Sequence, residues 1–105
     1  MLIYKILLPA EWAGFEAAGR FDGSPLDVQD GFIHLSTREQ VPATAARFFA
    51  GEPELVILAV DAAAVQDSLR WESDFPHVYA ALPRTAVTAV HRITDPSAVD
   101  EQLPG

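Results

Sequence analysis

The apolar run LVILAV at residues 55–60 constrains the fold more than any other stretch of the chain. Its branched side chains favour a β-strand, and Asp61 follows it as a turn residue. A strand that is exposed to water on one face alternates apolar and polar residues, and this run does not alternate. The sequence therefore predicts a strand with both faces covered by other parts of the chain.

Residues 2–7 are rich in branched and aromatic side chains and predict the first strand, and residues 85–93 alternate well and predict the last strand. After the first strand, Pro9 suits the first turn of a helix and Gly19 suits its end. Trp12 and Phe15 lie at helical spacing between them. We therefore expect this helix to lay both rings on the sheet.

A second helix is predicted after residue 37, because Thr37 and Gln40 fit a capping box. Pro42 lacks a backbone N–H, so that it delays the regular helix by a turn. The apolar stripe of this helix consists of Val41, Ala45, Phe48 and Phe49. Before it, Ser24 and Pro25 predict one short helical turn over residues 26–29 in an otherwise irregular segment.

These elements do not follow a regular alternation of strand and helix. The sequence therefore predicts an α+β domain with a small curved or split, mainly antiparallel sheet of five or six strands, two helices and short helical turns. Residues 1–93 are expected to form this single domain. Residues 94–105 contain two prolines and end in glycine, and they predict a loose C-terminal tail.

Charge and cysteine content limit the classes of function. The chain has 105 residues, a formal net charge of −8 and no cysteine. Its acidic surface repels phosphate backbones, which argues against general nucleic-acid binding and against anionic membranes, although it leaves room for a pocket that takes one nucleotide. No apolar stretch has the length of a membrane span, and a cytoplasmic location is expected. The sequence leaves the oligomeric state undetermined.

The segment GFIHLST at residues 31–37 carries the first candidate site residues. In an extended strand Ile33 and Leu35 face the core, whereas Phe32, His34 and Ser36 share the other face. His34 is suited to hydrogen bonding with hydroxyl or phosphate oxygens, or to acid–base chemistry near neutral pH. The alternative is a buried histidine that is simply hydrogen-bonded within the core.

The segment FPHVY at residues 75–79 repeats the pattern and places His77 and Tyr79 on one face. Tyr79 offers a flat ring for stacking, or else it is an ordinary core tyrosine. Glu72 precedes this strand as a candidate base or ribose ligand, with a solvated surface acid as the alternative. Trp71 is expected to lie in the core, and His91 to have a structural role.

Three chemistries can be compared with these residues. A metal site is not expected, because the histidines show neither H-x-H nor H-E-x-x-H spacing. A two-histidine phosphoesterase requires the motif His-x-Ser or His-x-Thr twice. His34 and Ser36 form the first motif, but residues 77–79 do not form a second. A nucleophile at Ser36 lacks the Gly-x-Ser-x-Gly turn.

Together these motifs resemble the family known as domain of unknown function 952, over roughly residues 2–93. The matching segments are IYKI at 3–6, EW at 11–12, GFIHLST at 31–37, EQ at 39–40, ARFF at 46–49 with Gly51, LVIL at 55–58, WE at 71–72 and FPHVY at 75–79. The resemblance implies membership of the ADP-ribosyltransferase-like superfamily, close to the RNA 2'-phosphotransferases. It therefore implies that NAD or an ADP-ribose-like nucleotide binds in a cleft, with possible ADP-ribosyl or phosphoribosyl transfer.

Carried over by position, the resemblance implies a cleft lined by His34, Ser36, His77 and Tyr79. His34, Ser36, Thr37 and Tyr79 would bind the nucleotide, and His34, His77 and Glu72 would take the catalytic roles. The glutamate that protein-modifying members place on a late strand is absent, since residues 88–92 read TAVHR. The alternatives are a non-catalytic ligand-binding or protein-interaction domain and, more weakly, a phosphoesterase that uses His34.

Overall fold

The computed structural model describes residues 1–105. The strands are β1 (Leu2–Leu7), β2 (Arg20–Phe21), β3 (Ile33–His34), β4 (Leu55–Asp61), β5 (Leu69–Glu72), β6 (Phe75–Val78), β7 (Leu82–Pro83) and β8 (Val87–Ile93). The α-helices are α1 (Pro9–Ala18), α2 (Pro25–Asp30), α3 (Val41–Phe48) and α4 (Val99–Gln102). Three short 3₁₀ turns cover Ala62–Val65, Arg84–Ala86 and Pro96–Ala98. The predicted α+β class is confirmed, and the strand count exceeds the prediction because β2, β3 and β7 have two residues each.

The apolar run forms the central strand of a three-stranded antiparallel sheet with the order β1-β4-β8. Its side chains alternate between two buried groups. The first core cluster includes Ile3, Leu7, Trp12, Phe15, Val56, Leu58 and Val60. The second core cluster includes Tyr4, Ile6, Val41, Ala45, Leu55, Ile57, Ala59, Ile93, Val99 and Leu103. The prediction that both faces of this strand are covered is therefore confirmed.

A second antiparallel sheet has the order β3-β6-β5, and β2 pairs separately with β7. The chain just after β3 meets β1, because the backbone N–H groups of Tyr4 and Ser36 each donate to the other residue's carbonyl at 2.8 Å. The result is the split antiparallel sheet that the sequence predicts. This junction also places the histidine-bearing strands beside β1.

Helix α1 follows its sequence signals closely. Pro9 begins it, and Gly19 ends it in the left-handed conformation with a φ of 78°. Trp12 and Phe15 are buried, with ring centroids 5.4 Å apart. The prediction that this helix lays both rings on the sheet is confirmed.

The capping box before α3 also forms, since the backbone N–H groups of Thr37 and Gln40 donate to each other's side-chain oxygens. The helix begins only at Val41, and this confirms the delay attributed to Pro42. The predicted burial of the apolar stripe is confirmed for Val41 and Ala45. It is wrong for Phe48, which is 56% exposed because it borders an open cleft instead of the core.

The prediction that residues 94–105 form a loose C-terminal tail is wrong. Residues 96–102 form a 3₁₀ turn and α4, and Val99 and Leu103 are buried in the second core cluster. The Arg38 guanidinium donates to the carbonyl oxygens of Asp100, Leu103 and Pro104 and to the Asp100 carboxylate. The buried side chains of Val99 and Leu103 and the Arg38 guanidinium therefore order a segment whose composition predicts irregular structure.

The predicted burial of Trp71 is also wrong. Strand β5 lies at the edge of its sheet, and Trp71 is 47% exposed because no element covers that end. Its hairpin turns at Ser73 and Asp74, whose φ values of 52° and 69° are the positive values of a tight two-residue turn.

His91 lies half-buried on β8, opposite Ile57. None of the helices has both the length and the apolar character needed to cross a bilayer.

Candidate functional site

A cleft of about 710 Å³ opens beside the junction of β1 and β3. Its lining comes from strands β1, β3 and β6, from helices α1, α2 and α3, and from short segments next to these elements. Small-molecule sites in proteins commonly have volumes of about 300–1,000 Å³. The cleft is therefore large enough for a nucleotide-sized ligand.

Asp27 organises one wall of the cleft. Ser24 and Asp27 form a capping box at the start of α2, in which the Ser24 N–H donates to Asp27 Oδ2 at 2.9 Å. The same oxygen accepts from Lys5 Nζ at 2.8 Å, and Oδ1 accepts from the His34 backbone N–H at 3.1 Å and from its Nδ1 at 2.6 Å. With four donors on two oxygens, the carboxylate has its acceptor sites filled. Asp27 thus ties α2 to β1 and β3.

Close packing at Asp27 also explains a glycine. A Cβ atom at Gly23 would lie 2.9 Å from Asp27 Cβ, and Gly23 has a φ of 122°. Both the space and the backbone conformation require glycine there. The chain can then turn tightly into the capping box.

Lys5 is the counter-ion of Asp27, and both side chains are almost fully buried. Lys5 Nζ also donates to the His34 carbonyl oxygen at 2.9 Å. Burial acts to raise the pKa of the Asp27 carboxyl, but the Lys5 ammonium and the hydrogen bonds from Lys5, His34 and Ser24 outweigh it and lower the pKa. Asp27 is therefore an ionised structural group at neutral pH.

His34 is held in one orientation by this network. Since a carboxylate only accepts hydrogen bonds, Nδ1 is the donor to Asp27, and by the same argument Nε2 is a donor to Asp30. Nε2 lies 2.9 Å from Asp30 Oδ2, at the end of α2. A histidine oriented through Nδ1 by a carboxylate is a common arrangement in sites that bind or transfer protons through Nε2.

His77 repeats this arrangement on the neighbouring strand. Its Nδ1 donates to Glu72 Oε1 at 2.7 Å, and the Tyr79 hydroxyl donates to the same oxygen at 2.6 Å. The hydrogen bonds from Tyr79 and His77 lower the pKa of the Glu72 carboxyl, and the bond to Glu72 raises the pKa of the Tyr79 hydroxyl. Glu72 is therefore suited to orient His77.

The two histidines are brought together directly. His34 and His77 are opposite each other in the β3–β6 pairing, with ring centroids 5.5 Å apart. The Phe32 ring packs beside both, at 4.6 Å from His34 and 4.2 Å from His77, and it lies 5.2 Å from Tyr79. The shared face predicted for these residues thus becomes one aromatic cluster.

The predicted site residues divide into two groups. His34, Ser36 and His77 line the cleft, whereas Thr37, Glu72 and Tyr79 lie outside its lining. Ser36 is buried, and its hydroxyl donates to Thr44 Oγ1 at 3.2 Å. The aromatic side chains that line the cleft are Tyr4, Phe48, Phe49 and Phe75.

Sequence reasoning did not find the charged residues of the cleft, which are Lys5, Glu11, Asp27, Asp30 and Arg47. One signal was available, since Lys5 is the single lysine of the chain and stands inside an apolar strand. A buried ammonium requires an ionic partner. No group of three or more histidine, aspartate or glutamate side chains converges in an arrangement that would hold a metal ion.

Comparison with known proteins gives a family and a closely similar fold. The crystal structure of protein CC0527 from Caulobacter crescentus has a TM-score of 0.84 and 47% identity, with 88% of this chain and 85% of that chain covered. The solution NMR structure of CC0527 has a TM-score of 0.80 and 44% identity, with 95% of each chain covered. No curated protein matches the chain. The sequence profile described as "Protein of unknown function (DUF952)" matches residues 6–90, and the chain therefore belongs to the DUF952 family.

Proposed function

We propose that the cleft binds NAD or an ADP-ribose-like nucleotide, and that His34 and His77 hydrogen-bond the ribose that carries the leaving group. The observation that carries this proposal is the pair of carboxylate-oriented histidines, 5.5 Å apart. A ribose presents two neighbouring hydroxyl groups, each of which both donates and accepts. Because Nδ1 of His77 donates to Glu72, its Nε2 is left as an acceptor, whereas Nε2 of His34 is a donor that a ribose hydroxyl would take over from Asp30. The proposal includes the ADP-ribosyltransferase-like relationship that the sequence resemblance implies.

The rim of the cleft supports a ligand with planar rings. Phe48 and Phe75 both line the cleft and are exposed. Exposed aromatic side chains at a cleft offer faces on which a base or a nicotinamide ring can stack. This part of the proposal replaces Tyr79 as the stacking residue, since Tyr79 lies outside the lining.

The proposed reaction is transfer or hydrolysis at the nicotinamide ribose. The bond between the ribose C1 and the ring nitrogen breaks, and nicotinamide leaves with the electron pair. A water or an acceptor hydroxyl adds to C1 and loses its proton to His77, whose Nδ1–H is already held by Glu72. His34 orients the ribose, and positioning supplies much of the rate.

Binding without chemistry is the second candidate. Glu72 has a lowered pKa because it accepts hydrogen bonds from Tyr79 and His77, which makes it a weak proton acceptor. Asp27 is saturated with donors in the same way. The acid–base role therefore rests on the histidines alone, and a site of this kind also suits simple recognition of a nucleotide.

The test is calorimetric titration of NAD and of ADP-ribose into the wild-type protein and two substitutions of His34. His34→Asn retains a donor near Asp27 but removes the Nε2 position, whereas His34→Gln retains a polar atom near Nε2 and loses the Nδ1 donor. We expect micromolar binding to the wild type and at least a tenfold loss in His34→Asn, which corresponds to about 1.4 kcal/mol. His91→Asn is the matched control, because His91 lies on β8 outside the cleft lining.

Absence of binding by the wild type, or an equal loss in His91→Asn, would remove the basis of the proposal. Release of nicotinamide in a single-turnover assay distinguishes the two candidates. Release that His77→Asn abolishes supports transfer or hydrolysis. Tight binding without release supports recognition alone.

A further inference from the structure

We infer that the open edge of strand β5 pairs with the same strand of a second copy of this chain, so that two molecules form a symmetric dimer. The pairing is antiparallel, with Trp71 opposite Trp71 of the second copy at the twofold axis. This inference goes beyond the proposed function and does not depend on whether the cleft binds a nucleotide. It rests on the backbone, the charges and the exposed ring of β5.

Strand β5 has unused backbone hydrogen-bonding groups at its outer edge. It is the last strand of the β3-β6-β5 sheet. The Tyr79 N–H donates to the Ser68 carbonyl at 2.8 Å, and hydrogen-bonded and non-hydrogen-bonded pairs alternate along an antiparallel ladder. By this alternation Trp71 and Pro76 form a non-hydrogen-bonded pair, in which proline needs no N–H. The N–H and C=O groups of Trp71 therefore point away from β6, towards the open edge.

These two groups fit a symmetric partner. When two identical strands pair antiparallel about one residue whose backbone groups face outward, that residue donates to its own copy and accepts from it. Trp71 meets this condition. Its ring is 47% exposed, and it would lie beside the ring of the second copy, because residues directly opposite each other project on the same face. Pairing thus covers an apolar side chain that no element of a single copy covers.

The charges of β5 are self-complementary in this register. Centring the pair on Trp71 places Arg70 opposite Glu72 of the second copy, and Glu72 opposite Arg70 of the second copy. Arg70 is exposed and donates to the Leu69 carbonyl of its own strand, and it has no carboxylate partner. Glu72 uses one oxygen, Oε1, for its contacts within the chain and leaves Oε2 free. Two ion pairs can therefore form across the axis.

The other sheet edges fit a second copy less well. The edge of β1 is closed by the bridge between Tyr4 and Ser36, which also joins it to the chain after β3. Strand β8 is an open edge, but its charged side chains include no acid, so that pairing with itself gains no ion pair. Strand β5 is therefore the edge at which backbone and charge favour the same partner.

Sedimentation equilibrium from micromolar to millimolar protein tests the dimer. A salt concentration of about 0.15 M, where the Debye length is about 8 Å, screens the net charge of −8 on each copy. We expect reversible dimers in the high-micromolar range, because a strand of four residues makes a small interface. Arg70→Glu should weaken them at least about tenfold by placing like charges opposite each other, and the double variant Arg70→Glu/Glu72→Arg should restore them. Arg92→Glu on β8 is the matched control and should leave dimerisation unchanged.

Crosslinking tests the register. The chain has no cysteine, so that Trp71→Cys introduces a single thiol. Hydrogen-bonded antiparallel pairs have Cα atoms about 5.5 Å apart, which is within the range of a disulfide. We expect oxidised Trp71→Cys to form covalent dimers, whereas Val90→Cys, at an exposed position of β8, should stay monomeric. Circular dichroism should show that the variants are folded, because these side chains lie outside both core clusters.

Three outcomes would overturn the inference. They are a wild type that stays monomeric at every concentration, dimers that Arg70→Glu leaves intact, and crosslinking through Val90→Cys in place of Trp71→Cys. None of them bears on the cleft, because nucleotide binding is tested separately by calorimetry. Failure of NAD and ADP-ribose to bind would equally leave the dimer standing.

Discussion

The ion pair of Lys5 and Asp27 contributes both to the stability of the fold and to the geometry of the site. Both side chains are buried, and the Asp27 carboxylate orients the His34 ring. Removing one partner of a buried ion pair leaves an uncompensated charge, which typically costs about 3–5 kcal/mol. We therefore expect Lys5→Met to lower the free energy of unfolding by that amount in urea titrations at pH 7. Arg20→Met should change it little, because the Arg20–Asp22 pair is exposed.

The loss of unfolding free energy in Lys5→Met should depend on pH, because the pKa of Asp27 is lowered in the folded protein. A carboxyl whose pKa is lower in the folded state stabilises the fold above its ordinary value of 3.8, and the stabilisation is lost as the pH falls below it. Lys5→Met removes the main stabilising charge, so that burial raises the pKa of Asp27. The difference between wild type and variant should then shrink on acidification. A difference that is constant from pH 7 to pH 3 would contradict this account.

At the scale of elements, Arg38 holds the C-terminal segment together with the buried side chains of Val99 and Leu103. The helix α4 has four residues, too short to be stable alone, and its last carbonyl groups have no partners within the helix. Arg38 satisfies the carbonyls of Asp100, Leu103 and Pro104. We expect Arg38→Ala to cost about 1–3 kcal/mol and to accelerate hydrogen exchange at the Leu103 amide, which donates to Val99. Arg92→Ala, at an exposed pair with Glu54, is the control, and equal exchange in both variants would count against this role.

The elements that the sequence predicts correctly are those whose signals lie within a few residues. The capping box of Thr37 and Gln40 and the two ends of α1 are of this kind. Trp71 and the C-terminal segment were mispredicted because burial depends on which distant element covers a side chain. An edge strand leaves Trp71 exposed, whereas Arg38 and the second core cluster cover residues that look irregular.

At the scale of the whole molecule, the same contrast applies to the candidate site. The alternation of residues 31–37 and 75–79 sufficed to place His34 and His77 on matching faces, and their direct pairing agrees with it. The sequence did not predict the groups that hold His34, in contrast to the position of the histidine itself. Asp27 is seven residues from His34 and 22 from Lys5, and only the packing of α2 against β1 and β3 brings the three together. Electrostatic partners separated in this way leave little local pattern in a sequence.

The central strand β4 couples both halves of the molecule, and this makes a prediction about unfolding. Leu58 belongs to the first core cluster and Ile57 to the second, and both are fully buried. Leu58→Ala and Ile57→Ala should each cost about 2–5 kcal/mol in urea titrations, whereas Val90→Ala on the exposed side of β8 should cost less than about 1 kcal/mol. Because one strand supplies both clusters, loss of either should weaken a single cooperative transition. Tryptophan fluorescence, which reports on the buried Trp12 and the exposed Trp71, should therefore change together with far-ultraviolet circular dichroism in every variant. Separate midpoints for the two signals would mean that the clusters unfold independently and that β4 does not join them energetically.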